Sequence, residues 1–154
     1  MTKDKKHLEV RALENGTVID RIPAKNLFKV ISILRLDKIS SQITFGTNLQ
    51  SSRLGTKAII KISDTFFEQD DINRIALIAP HAKLNIIKDF NVVEKEDVKL
   101  TEDISGIAKC MNPVCVTNNE PVKTKFKVIS KNSLALKCHY CEKITDEEHL
   151  EIVH

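Results

Sequence analysis

The sequence has 154 residues, 42% of them hydrophobic and 29% charged, and its 24 Lys and Arg against 21 Asp and Glu leave a formal net charge of +3. This composition excludes a polar, highly charged disordered chain, and the near-even charge balance gives no general ground for a nucleic-acid partner. No apolar run approaches the roughly 18 residues of a membrane-spanning helix, and the opening "MTKDKKH" has no apolar stretch behind it, so a cytoplasmic protein is expected.

In chain order, "LEVRALENGTVIDRI" alternates apolar and polar residues on both sides of "ENG", which predicts two extended segments. Pro23 then opens "AKNLFKVISILRL", where Leu27, Val30, Ile31 and Leu34 recur at the spacing of one helix face. "SQITFGTNL" and "KAIIKI" read as strands, with "QSSRLGT" as an exposed loop between them. A second helix is predicted in "DTFFEQDDINRIALIAP". Ile72, Ile75, Ala76 and Ala79 share a face there, Glu68, Asp70 and Asp71 complement the N-terminal dipole, and Pro80 ends the run. "KLNIIKDFNVVEK" closes the region as two short strands around Lys88-Asp89.

This order predicts an α+β domain over residues 1–100, an antiparallel or mixed sheet with two helices on one face. The charged "EKEDVKLTED", residues 94–103, reads as a linker. A smaller β domain, residues 101–154, holds all 4 cysteines.

A segment that small buries little apolar surface and needs a metal, a disulfide or a partner to fold. In a reducing compartment thiols stay free, so "CMNPVC" and "CHYC" point to a metal site. C-x4-C and C-x2-C pairs bring Cys110, Cys115, Cys138 and Cys141 together as tetrahedral ligands, and four thiolates close the shell of a structural Zn²⁺. "KTKFKVIS" and "SLALK" between the pairs alternate like a hairpin. A redox C-x2-C would sit beside a βαβ pattern, which is lacking here, and His139 reads as an exposed neighbour rather than a ligand.

Lys57, Lys61, Lys83, Lys88 and Lys95 fall on or beside predicted strands, and their plain reading is a solvated face. Lys61 shares a face with Ile59, opposite Ile60 and Ile62. A cation in that setting can point at an anion. Asp20 and Asn85 are isolated among β-branched residues and suit a base or ribose, or merely the polar side of a strand. No phosphate-binding glycine loop, H-E-x-x-H helix or nucleophile elbow occurs, so no enzyme is indicated.

The stretches "GTVIDRIPA", "ITFGTNL", "AIIKI", "ALIAPHAKLNIIKDFNVV" and "ALKCHYCEK" together resemble the regulatory chain of aspartate carbamoyltransferase, over nearly the whole sequence. The resemblance implies a non-catalytic subunit of pyrimidine biosynthesis. Its N-terminal domain would bind nucleotides, and its zinc domain would grip the catalytic chain. It also implies regulatory dimers bridging catalytic trimers, with ATP activating and CTP, aided by UTP, inhibiting. By the same resemblance the nucleotide site uses Val10, Arg11, Leu13, Asp20, Lys61, Asn85, Ile87, Phe90, Val92 and Lys95, and the four cysteines bind zinc. Phe90 stands where the family pattern has Tyr, and Arg21 where it has His, which adds a permanent charge beside the implied site. The alternative from another class is a zinc ribbon that binds nucleic acid, weakened by the acidic ending "TDEEHLE" and by few aromatics.

Overall fold

The computed structural model describes residues 12–52 and 55–153. The first of the two predicted N-terminal strands falls largely outside these residues, and Ala12–Asn15 carry no regular element. Strand β1 (Gly16–Pro23) is followed by a 3-10 turn (Ala24–Asn26) and helix α1 (Leu27–Ile33). Then come β2 (Ile43–Ser51), β3 (Gly55–Ser63), α2 (Gln69–Ile78), β4 (Lys83–Lys88) and β5 (Asn91–Asp97). The strands form a five-stranded sheet in the order β2-β3-β1-β4-β5, with every neighbouring pair antiparallel.

Strand periodicity decides which side chains meet the helices. Ile60 on β3, Ile19 on β1 and Leu84 on β4 stand in one cross-strand row and are buried with Leu27 and Val30 of α1 and Ile75 of α2. Residues one step along each strand point to the other face, which no helix among the described residues covers. Gly16 sits at φ 141°, and a Cβ there would lie 2.1 Å from the Ile62 carbonyl oxygen, so only glycine lets β1 start this close to β3. α2 opens with a capping box in which the Glu68 backbone N–H donates to Asp71 at 3.4 Å, and it stops before Pro80 as the sequence predicts.

Two features differ from expectation. The loop between β2 and β3 is tighter than "QSSRLGT" implies, because pairing continues to Ser51↔Gly55. The charged stretch 94–103 is not a loose linker. Residues 94–97 are the end of β5, Val98 and Leu100 are buried, and Asn73 of α2 holds Thr101 through two hydrogen bonds of 3.1 and 3.3 Å. Alternating charge had masked two core residues.

Beyond Thr101 lie β6 (Asp103–Ser105), a short helix α3 (Val116–Asn119), β7 (Lys125–Ser130), β8 (Ala135–Cys138) and β9 (Ile144–Asp146). They build a four-stranded antiparallel sheet in the order β6-β7-β8-β9, and β7 and β8 are the predicted hairpin. Ile104, Ile107, Phe126 and Leu136 form its core, and the buried cluster runs on through Leu100 and Val98 to Leu77 of α2. The fold is the expected α+β arrangement, with the first sheet wholly antiparallel among the described residues.

Candidate functional site

The thiols converge because two tight loops are locked from within. In the first, the Cys115 N–H donates to the Asn112 carbonyl at 3.0 Å, and the Asn118 side chain donates to the Cys110 and Asn112 carbonyls at 2.9 and 2.7 Å. In the second, Cys138 ends β8 and the Glu142 N–H donates back to its carbonyl at 3.0 Å, with Glu142 in the left-handed region at φ 64°. His139 is exposed, and its ring packs edge-on against Tyr140 at 5.0 Å.

All four Sγ atoms lie within 4.8 Å of one another. Cys110 and Cys141 are 3.6 Å apart and Cys115 and Cys138 3.7 Å, far beyond a disulfide bond, and all four thiols are free. A tetrahedron of sulfurs about 2.3 Å from a central ion has an edge of about 3.8 Å, so the cluster is the right size for a metal. Burial pushes the Cys110 thiol up to about 12 and raises that of Cys138. At Cys141 the upward push of burial is outweighed by hydrogen bonds from Asn112, Lys143 and the neighbouring thiols, which bring it down to about 6. Such a donor set ionises fully only around a cation, and it can hold a thiophilic divalent ion with no position left for water.

The helix-free face of the first sheet gathers the second set of residues. In register, Lys61 of β3 lies beside Val18 of β1, Val18 beside Asn85 of β4, and Asn85 beside Lys95 of β5. Asp20 lies two residues further along β1, beside Lys83, and Ile87 pairs with Val92. Phe90 sits in the two-residue turn after β4, where it and Asp89 both take positive φ, 66° and 51°. Its N–H donates to the Glu14 carbonyl at 2.9 Å, which brings the half-buried Leu13 segment to the same end of the sheet. Val10 and Arg11 lie outside the described residues.

Lys57 is among the strand lysines named from the sequence, but that reading does not foresee its pairing with Asp20. The Lys57 ammonium lies 2.9 Å from the Asp20 carboxylate, which also accepts the Arg21 N–H at 2.7 Å. Asp20 is therefore an ion-paired group rather than a bare acceptor. Counting by twos back from Lys61 along β3 reaches Lys57, so strand periodicity held the signal. Arg21 itself is at φ 60° in a bulge of β1 beside this pair.

Residues 8–99 match a family model described as the aspartate carbamoyltransferase regulatory chain, allosteric domain, and residues 102–151 match the metal binding domain of that chain. The chain belongs to the aspartate carbamoyltransferase regulatory chain family. It is 52% identical over 153 residues to the regulatory chain of Bacteroides fragilis, covering 99% of this chain and 100% of the relative. It is 53% identical over 148 residues to that of Parabacteroides distasonis, covering 96% of each. The regulatory chain of Pyrococcus horikoshii is 49% identical over 145 residues, covering 93% of this chain and 95% of its own. A regulatory chain implies a catalytic chain as partner, and it is the non-catalytic subunit of the pair. Because both family models match in order, the nucleic-acid-binding zinc ribbon is not favoured. Among the described residues no helix is long and apolar enough to cross a membrane.

The C-terminal segment of this regulatory chain carries an exposed Asp146–His149 pair, Oδ1 to Nδ1 2.6 Å. Asp146 also accepts the His149 N–H at 3.0 Å. The Asp146 hydrogen bond and charge raise His149 above its ordinary 6.5, and the His149 bonds hold Asp146 below 3.8. The raised histidine contributes stability that is complete below 6.5 and disappears as pH climbs through its folded value; the depressed aspartate contributes above 3.8 and loses its share as pH falls. NMR titration is expected to find His149 protonating above 6.5, with Asp146→Asn lowering it toward the ordinary value. An unshifted His149 in the parent chain would contradict the pairing.

Proposed function

We propose that this chain is the nucleotide-sensing subunit of a cytoplasmic aspartate carbamoyltransferase. Residues 1–100 bind ATP, CTP and UTP, and residues 101–154 hold one structural zinc ion and grip the catalytic chain. Regulatory dimers then bridge catalytic subunits. The observation that carries the reading is the row Lys61–Val18–Asn85–Lys95 on a helix-free sheet face, within the segment matched to an allosteric domain. Its two ammonium groups suit phosphates, and an amide between them suits a base or sugar edge. Leu13, Ile87, Phe90 and Val92 offer apolar contacts at one end. The Asp20–Lys57 pair and the implied Val10 and Arg11 complete the set.

Zinc is favoured by four converging sulfurs, which would close a tetrahedral shell around a structural ion and leave no site for hydrolysis. Coupling between the two parts is supported by the Asn73–Thr101 bonds and the buried cluster through Val98 and Leu100, which make the junction a packed contact. Nucleotides that compete for one pocket have opposite effects only if each favours a different quaternary state.

Reconstitution with the catalytic chain is the test. The chain alone should turn over nothing, and aspartate saturation of the assembled enzyme should shift with bound nucleotide. Coupling of this kind is typically about 1–3 kcal/mol, and a substrate analogue on the catalytic chain must change nucleotide affinity by the same factor. Curves that superimpose with and without saturating ATP and CTP would leave only a structural bridge.

A further inference from the structure

Phe90 stands in a turn that its own residue type does not favour. Lys88 pairs with Asn91, so Asp89 and Phe90 are the two central residues of the β4–β5 hairpin, and their φ values of 51° and 66° are those of a type I′ turn. Glycine and asparagine are the usual occupants. Aspartate tolerates the left-handed region, whereas a bulky aromatic there is an outlier that persists only where the surroundings impose it. The ring is 63% exposed and carries no hydroxyl to be bonded, so its position follows the backbone of the turn.

The imposing contacts come from the residues just before β1. The Asn15 side-chain oxygen accepts the Asp89 N–H at 3.2 Å, and the neighbouring Glu14 carbonyl accepts the Phe90 N–H at 2.9 Å. Consecutive N–H groups of the turn are thus held by consecutive residues of the chain. Asn91 adds a bond from within, its side chain donating to the Asp89 carbonyl at 3.0 Å. Asn15 is itself fixed. It is half-buried, its carbonyl accepts the Asp64 N–H at 2.9 Å, and Gly16 beside it lies so close to β3 that no Cβ fits. The Glu14 bond is main chain to main chain and would survive a change of side chain. The Asn15 bond would not.

We propose that Asn15 is a positioning residue of the effector site: through its bond to Asp89 it holds the strained turn in the conformation that presents the Phe90 ring to the base of a bound nucleotide. This rests on reading the helix-free sheet face as the nucleotide site with Phe90 at its end, and adds a residue that acts without touching the nucleotide. Losing the bond lets the turn relax toward conformations in which an aromatic at position 90 is unstrained. The binding-competent turn is then only fractionally populated, and apparent affinity falls by that fraction. The loss arises at the base-facing end of the site and leaves Lys61 and Lys95 in place.

The test uses the full-length chain, with ATP and CTP titrated by calorimetry. Asn15→Ala should weaken both by about three- to tenfold, the share expected of one hydrogen bond. Amide exchange should quicken at Asp89 and Phe90, with protection kept along the rest of β1 and β4. In a Phe90→Ala background the same substitution should cost less than about twofold, since no ring is left to place. In an Asp89→Gly background it should also cost less than about twofold, because glycine holds a φ of 51° unaided. A substitution that merely destabilised the domain would keep its full effect in both backgrounds. The full cost in either background overturns the positioning role and leaves the nucleotide face intact. So does an Asn15→Ala chain that binds like the parent while Phe90→Ala binds more weakly. A parent chain that binds neither ATP nor CTP overturns the nucleotide reading, and this role with it.

Discussion

Cys138→Ser should release the metal and unfold residues 101–154, and with them abolish assembly with the catalytic chain. The second sheet is small, and its inward side chains reduce to Ile104, Phe126, Leu136 and a few neighbours around the cysteines. A core of that size does not offset the chain entropy of about fifty ordered residues, each costing about 1–2 kcal/mol of backbone freedom. Structural zinc in small peptides contributes about 10–16 kcal/mol near neutral pH, enough to decide the balance. Serine at position 138 removes a thiolate from the end of β8 and leaves Cys115, 3.7 Å away, without its counterpart. Metal analysis should give one zinc per wild-type chain and close to none in the variant. Amide exchange should show lost protection in β6–β9 with protection kept in β1–β5. A variant that still assembles, or a wild-type chain free of zinc, would sink the assignment.

Much of the architecture is legible because it is local. Ile60 and Ile62 alternate with Ile59 and Lys61 over a few residues, and that alternation is enough to place one set inside and the other outside. Leu27, Val30 and Leu34 mark the buried side of α1 and its end by spacing alone, and the cysteine pairs announce themselves. The candidate nucleotide face is different. Its row exists because the strand order is β3-β1-β4-β5, so residues from four strands become neighbours through pairings that no short window of sequence contains. Lys95 is one of several strand lysines in the sequence, and only the pairing of β5 with β4 sets it beside Asn85. Arg21 and Phe90 take left-handed backbone conformations that their side chains do not advertise, since glycine or asparagine is the usual occupant. Val98 and Leu100 were hidden by the charges around them, and only tertiary packing on α2 turns that stretch from linker into core.

Lys61→Ala is the complementary prediction for the first sheet, aimed at ligand binding with the fold left in place. Lys61 is half-buried between Val18 and Thr44 on the open face, and burial lowers its pKa from the ordinary 10.5. An ammonium held where desolvation disfavours its charge gains more from an anion than one in open water does. Charge-assisted hydrogen bonds from such a group to phosphate or sugar oxygens are worth about 1.5–3 kcal/mol. Calorimetry should therefore find CTP and ATP weakened together by about ten- to a hundredfold, because the phosphates and ribose are common to both. Lys61→Met keeps most of the aliphatic stem, and it should lose nearly as much affinity if charge rather than packing is responsible. Zinc content should be unaffected, since the cysteines belong to the other sheet. The sign of the pH dependence is also determined. Nucleotide bound at Lys61 favours the ammonium, so binding takes up a fraction of a proton, and affinity falls as pH rises toward the depressed pKa of the unliganded group. The alanine variant should lose that slope along with the affinity. Unchanged affinity in both variants would return Lys61 to an ordinary solvated strand face, and the effector site would have to be sought elsewhere on the chain.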